Sequence, residues 1–366
     1  MNQHLKLDKD WFSKPGDSLK LLMRRRGMTF EQVASELSGG EQTLRDIFGG
    51  AAEIGENTAT ELVKIFGGSH TYWVSRQSLY NRSLDEAVQE AATFEPEQWL
   101  DSVPDPITGK NKSKKDLELH AQLRRRLSYF NVPTFDGWFE QYGKYASQTP
   151  FRESVTFQSN QSLKLLWLRR GELEADLITT KPWDPATLRR NLPQIIKLTR
   201  ISKPHRFLPK LKELLASAGV ALVVVKSPKN CHVSGAARMV APAKAMLLVS
   251  FRYRSDDQFW FTVFHEIGHL LLHEGQTFVD DDHSSDVDIE VEANQFAGEC
   301  IIPSHAAAEF RLLKCSRSAV LRFSTKLGIS PGLVVGQLQH YKIISPRQLN
   351  GIRRHWKWED INPAEI

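Results

Sequence analysis

The segment that most restricts this chain is apolar almost throughout, yet it carries three groups that prefer water: Phe259-Trp260-Phe261-Thr262-Val263-Phe264-His265-Glu266-Ile267-Gly268-His269-Leu270-Leu271. Its pattern predicts a buried helix from 259 through 272. Residues four apart are turned by about 400° along a helix, so His265 and His269 leave from one face, one turn apart. Glu266 lies about 100° round from His265, beside that face rather than on it. A buried helix must satisfy two imidazoles and a carboxylate, and a metal ion does so. Two neutral imidazoles aimed at one point are two corners of a tetrahedral zinc site. Glu266, close to the metal without binding it, suits a general base that takes a proton from water. The competing reading is a core helix with unligated histidines.

A third protein ligand is expected from Ile289-Glu290-Val291-Glu292-Ala293-Asn294-Gln295-Phe296-Ala297, which reads as a helix with Ile289, Ala293, Phe296 and Ala297 inward. Glu290 shares that side with Ala293 and Ala297, whereas Glu292 is turned by about 200° toward solvent. Glu290 is therefore the expected ligand. Asn294, one turn on, can hydrogen-bond a liganding histidine. Two His, one Glu and an open fourth position favour zinc over manganese.

These residues carry a resemblance. The run from Phe259 to His273, then Glu290, Ala293, Asn294, Phe296, Ala297 and Ile301-Ile302-Pro303, resemble the ImmA/IrrE family of metallopeptidases. Ser234-Gly235-Ala236-Ala237, Ser250-Phe251-Arg252-Tyr253, and Leu327-Gly328-Ile329-Ser330-Pro331 with Gln339-His340 fit the same pattern, over about residues 120 to 345. The resemblance implies a zinc endopeptidase that cleaves a helix-turn-helix repressor in a phage, mobile-element or stress switch. Other members sit beside toxin or antitoxin genes, and an Xre-type helix-turn-helix is often fused to them.

The N-terminal segment agrees with such a fusion. Pro15 opens, and Gly27 closes, a segment with Leu19, Leu22 and Met23 on one face. Thr29 with Gln32 is a capping box for a helix that turns Val33, Ala34 and Leu37 inward. Ser38-Gly39-Gly40 turns the chain into residues 41–48, where Leu44, Ile47 and Phe48 are the buried face. Two short helices around a tight turn fit a helix-turn-helix, with Gln42, Thr43 and Arg45 outward on the second helix as candidate DNA contacts. The same pattern fits a small helical bundle that binds protein. Pro15 to Leu19, Gly27-Met28-Thr29, Val33-Ala34, Gly49-Gly50 and Phe66-Gly67-Gly68-Ser69 with Trp73 and Gln77 resemble the Xre-type domain of HigA-like antitoxins. Glu41 and Asp46 stand where that pattern favours Ser and Thr.

Composition adds bounds. A length of 366 residues suggests two or three domains, and 41% apolar with 25% charged residues is ordinary for a soluble protein. No run approaches the ~18 apolar residues of a membrane span, and the first residues lack a signal-like apolar stretch. A cytoplasmic protein without a membrane partner is expected. Cys231, Cys300 and Cys315 are too scattered for a disulfide framework or a cysteine zinc site, so incidental free thiols are expected. The net charge of +5 is compatible with nucleic acid, and the clusters Arg24-Arg25-Arg26, 112–115 and Arg124-Arg125-Arg126 read as solvated faces.

The expected architecture is multidomain. An all-α helix-turn-helix domain (12–80) and a transition (81–120) precede an α+β zincin-like peptidase domain with a small sheet and the HExxH helix (121–345), followed by a tail (346–366). Strands are expected at 219–225, after Ser234-Gly235-Ala236-Ala237, and at 245–250, the last as an edge to which an extended substrate can add. His273, His283, Arg252 and Tyr253 are candidates for stabilising an oxyanion. The expected partners are a protein substrate, a repressor by resemblance, and DNA; an oligomer is compatible with the sequence. The alternative function is a transcriptional regulator or antitoxin whose zinc domain senses or grips a partner without proteolysis.

Overall fold

Proline at helix starts and left-handed glycine at helix ends divide the first seventy residues into short helices. In the computed structural model, which describes residues 12–106, 119–143, 159–229, 231–273, 278–279 and 287–361, Pro15–Arg26 begins at proline and ends at Gly27 with φ 63°. Phe30–Glu36 starts from the reciprocal Thr29–Gln32 bonds of a capping box. Gly40–Gly49 and Glu56–Phe66 follow, each closed by glycine. Val33, Leu44, Ile47, Phe48 and Leu62 are buried among them.

The chain divides into units Met1–Arg169 and Arg170–Ile366. The expected boundaries at 80 and 120 fall inside the first unit. The helix His70–Phe94 runs unbroken for 25 residues, burying Trp73, Tyr80, Leu84, Val88 and Ala91. Pro96–Ser102, Leu119–Phe130 and Phe135–Tyr142 then supply Trp99, Leu123, Leu127, Phe130, Trp138 and Tyr142 to the same core. Much of the expected transition is thus packed helix. Arg126 is no solvated cation: it is fully buried, with its guanidinium on Asp105 at 3.5 Å and bonded to the carbonyls of Val103 and Gln122. The basic run 112–115 lies outside the described residues.

The second unit is built on a four-stranded sheet. β1 (Val220–Val224), β2 (Gly235–Ala241), β3 (Lys244–Val249) and β4 (Phe278–Val279) lie in the order β1-β3-β2-β4. β3 runs parallel to β1 and antiparallel to β2, which also pairs with β4. The expectation that 245–250 is an edge is therefore corrected: β3 is interior, hydrogen-bonded on both sides, and has no free ladder for a substrate. Its near-continuous burial is what a strand covered on both faces requires. The expected tail is also corrected. Ile352, Trp356 and Ile361 are buried in this unit's core, and the Trp356 indole donates to the Ser202 carbonyl at 2.8 Å. Aromatic bulk at the end of the chain finds Phe207, Phe251 and Phe259 to pack on.

Candidate metal centre

The helix Asp256–Leu272 follows an extended Ser255 and packs on β2 and β3. Asp256 and Asp257 occupy its first turn, where the positive end of the helix favours carboxylates. Both are buried and held. Asp256 accepts from Ser330 Oγ at 2.5 Å and from the Arg354 amide at 2.9 Å, while Asp257 pairs with Arg353 at 2.9 Å. Burial is the main cause that raises the Asp256 carboxyl above its usual range. The helix Pro331–His340 can press on this turn because Gly332 and Gly336 lack side chains. A Cβ there would lie 2.3 Å from Asp256 Oδ1 and 2.9 Å from Asp257 Cβ.

The helix Val287–Ile301 packs against the other part of the motif helix. Gly268 permits the approach, since a Cβ there would sit 3.2 Å from the Phe296 ring and 3.3 Å from Ala293 Cα. That close packing brings Glu290 to the histidines. His265 Nε2 and His269 Nε2 are 2.9 Å apart, and the Glu290 oxygens lie 3.3 Å from His265 Nε2 and 3.4 Å from His269 Nε2. His265, Glu266 and His269 are at most 2% exposed. The His265 Nδ1–H donates to Asn294 Oδ1 at 3.1 Å, which leaves the Nε2 lone pair facing Glu290 and His269. Glu292 is exposed, as its position on the helix predicts.

The donor set suits a zinc ion. Tetrahedral zinc with bonds of about 2.0–2.1 Å spaces its ligand atoms about 3.3 Å apart, and the three distances here bracket that value. Among the described residues, His265, His269 and Glu290 are the group whose donor atoms converge closely enough to hold a metal. Burial is the first cause that depresses the His269 pKa, so its imidazole stays neutral, the form that donates a lone pair. Burial opposes ionisation of Glu290, but the closeness of His265 and His269 outweighs it and holds the carboxyl at about 2.

Glu266 is fully buried and turned toward the start of β2. A Cβ on Gly235 would fall 2.3 Å from Glu266 Oε1 and 2.6 Å from the Thr262 methyl. Glycine at 235 is thus what leaves room for the carboxylate. The aspartate pair, the two glycines of 331–340 and this role of Gly235 were not read from the sequence. Two acids opening an apolar helix, and a Gly-x-x-x-Gly on a later one, are the signals that could have found the first two.

Among the other candidates, His273 caps the motif helix at its C-terminus, with its ring 5.7 Å from His269 and its Nε2 3.7 Å from the exposed Glu292. Arg252 and Tyr253 sit on a turn after β3, and His283 lies outside the described residues. In the first unit, Gln42 is exposed and donates to Asp46 at 2.8 Å. Thr43 faces back to Gly39, and Arg45 lies over the Phe30 ring at 5.0 Å, 3.5 Å from Glu41. Cys231 is buried, Cys315 exposed and Cys300 partly buried, all as free thiols.

Residues 225–336 match the family model described as the IrrE N-terminal-like domain, Peptidase_M78. The match takes in β2, β3, the motif helix and the Glu290 helix, and it points to a metallopeptidase-type domain of a generally zinc-dependent kind. It does not reach the first unit. No curated protein matches the chain.

Proposed function

We propose that the second unit is a zinc-dependent endopeptidase, with His265, His269 and Glu290 as the protein ligands and Glu266 as the general base. One observation carries the reading: the three donors converge beside a buried carboxylate, inside the stretch that matches a metallopeptidase-type domain. Bound zinc supplies Lewis acidity toward a peptide carbonyl and toward water. The chain supplies the rest. Glu266 takes a proton from the attacking water as its oxygen joins the carbonyl carbon, and passes that proton to the amine nitrogen as the C–N bond breaks. Asn294 fixes the tautomer and ring plane of His265.

The substrate we propose is a helix-turn-helix repressor, with the N-terminal helices 30–36 and 40–49 as a DNA-binding element. The resemblance of residues 12–80 to Xre-type domains supports this, as do the capped helix and the short turn that joins the pair.

The test is elemental analysis and cleavage together. Wild type should carry about one zinc per chain. Glu266→Gln should keep the zinc and lose cleavage of a helix-turn-helix repressor, by about a hundredfold or more. Full cleavage by Glu266→Gln would remove the general-base assignment. A wild-type protein that takes up no zinc when zinc is supplied would remove the peptidase reading altogether.

A further inference from the structure

The proposed peptidase needs a way to choose its bond, and a depression one helical turn from Glu266 has the chemistry to do so. Arg252, Tyr253, Arg254, Gln258, Thr262 and Ser234 line it. Thr262 joins it to the site, because the Thr262 methyl and the Glu266 carboxylate flank the same point over Gly235. Its floor is Phe259, with the Phe251 ring stacked on it at 4.1 Å.

Two arginines and no carboxylate line this depression. Arg252 spreads over the Tyr253 ring at 4.8 Å and Arg254 over Trp358 at 5.7 Å. Arg252 is half-buried and Arg254 exposed, and among the described residues neither guanidinium has an ion-pair partner, unlike Arg238 with Glu172 and Arg353 with Asp257. The turn is fixed at both ends. Phe251 and Arg254 both adopt positive φ, 52° and 50°, a conformation that non-glycine residues hold only where their surroundings require it. Arg254 N–H closes the turn on the Phe251 carbonyl at 2.9 Å, and the Trp356 amide donates to the Arg254 carbonyl at 2.8 Å. Ser250 Oγ bonds the Val233 carbonyl and accepts from the Arg252 amide. A fixed turn that holds two guanidiniums with no ion-pair partner among the described residues, one against Tyr253 and one against Trp358, is preorganised for a carboxylate, because Arg presents paired donors in a plane.

Resting on the peptidase reading above, we propose that the 251–254 turn is a specificity subsite that takes an acidic substrate side chain close to the scissile bond, with Arg252 and Arg254 as the selecting residues. Neither residue touches the metal donors, so the subsite changes which peptide is cut and leaves zinc binding alone.

Two measurements test this on the full zinc-loaded chain. The first uses a pair of peptide hydroxamates that differ only in a glutamate or glutamine side chain next to the hydroxamate, with dissociation constants from calorimetry. The glutamate compound should bind about tenfold tighter to wild type. That ratio should fall to about one in Arg252→Gln/Arg254→Gln and reverse in Arg252→Glu/Arg254→Glu, with zinc content unchanged and the glutamine compound bound as before. The second is mass-spectrometric mapping of cleavage sites in an amine-blocked peptide library, where wild type should enrich Asp and Glu beside the cut and the Glu variant should not. Equal binding of the two hydroxamates to wild type, or an acidic preference that survives both variants, overturns the subsite while the peptidase stands. If zinc is bound but neither hydroxamate binds and no peptide is cut, the peptidase reading falls and the subsite with it.

Discussion

Two helices in this chain carry polar residues at regular spacing, and they use them in opposite ways. On Gly40–Gly49 of the first unit, Gln42 and Arg45 bond to Asp46 and Glu41 on their own helix, within reach of water. On Asp256–Leu272 of the second, His265, Glu266 and His269 are buried and meet groups brought from Val287–Ile301 and β2. Exposed polar side chains can be satisfied by water and by neighbours a turn away, at little gain or loss. Buried ones must be met by partners distant in sequence, so their placement ties several elements together. Substitutions should therefore cost far more on the second helix than on the first.

His269→Ala should break the comparison most visibly. With one of three protein donors gone, zinc should fall from about one per chain to less than about a tenth, read by elemental analysis; near-full zinc would show that the cluster is not the site. Gly235→Ala comes next. The added Cβ would force Glu266 aside, and misplacement by about an ångström costs on the order of a hundredfold in rate. Cleavage should drop while zinc stays, and an unaffected rate would mean that Glu266 acts elsewhere.

Cys300 probes the packing of the Glu290 helix. Burial pushes its thiol up to about 12, so at pH 8 it should alkylate about a hundredfold or more slower than the exposed Cys315. Equal labelling by mass spectrometry would contradict a fixed packing of this face of the helix. Asn294→Ala should weaken zinc by about 10- to 100-fold in a competition with a chelator, because His265 loses the bond that sets its tautomer; unchanged affinity would leave that bond without a role. Smallest of all, Gln42→Ala/Arg45→Ala should change unfolding free energy by about 0.5 kcal/mol or less in urea titration. If that double variant proved as damaging as His269→Ala, the contrast between the helices would be gone.

The motif helix was legible because its periodicity and its three polar groups are local features: 259 to 272 was expected, and the helix runs Asp256–Leu272. Glu290 and Asn294 were legible for the same reason, as faces of a second helix with a three-to-four-residue apolar repeat. The extra turn at 256–258 was not expected, because its hold on Asp256 and Asp257 comes from Ser330, Arg353 and Arg354, far along the chain. Arg126 was likewise read as a surface cation, since nothing local reveals Asp105 beneath it.

By itself the sequence determined the short N-terminal helices, the motif helix and the helix bearing Glu290, the faces these bury, and that two imidazoles and two carboxylates stand at spacings suited to a metal site. Those are consequences of 3.6 residues per turn and of the cost of burying polar groups. Only the tertiary structure decided that β3 is interior rather than an edge, that the last residues complete a core, that helix 70–94 carries the first unit past residue 80, and that Gly235 and Gly268 make room for Glu266 and for the helix bearing Glu290. Strand order, chain-end packing and the space beside a glycine depend on contacts between residues far apart in sequence, which periodicity does not encode.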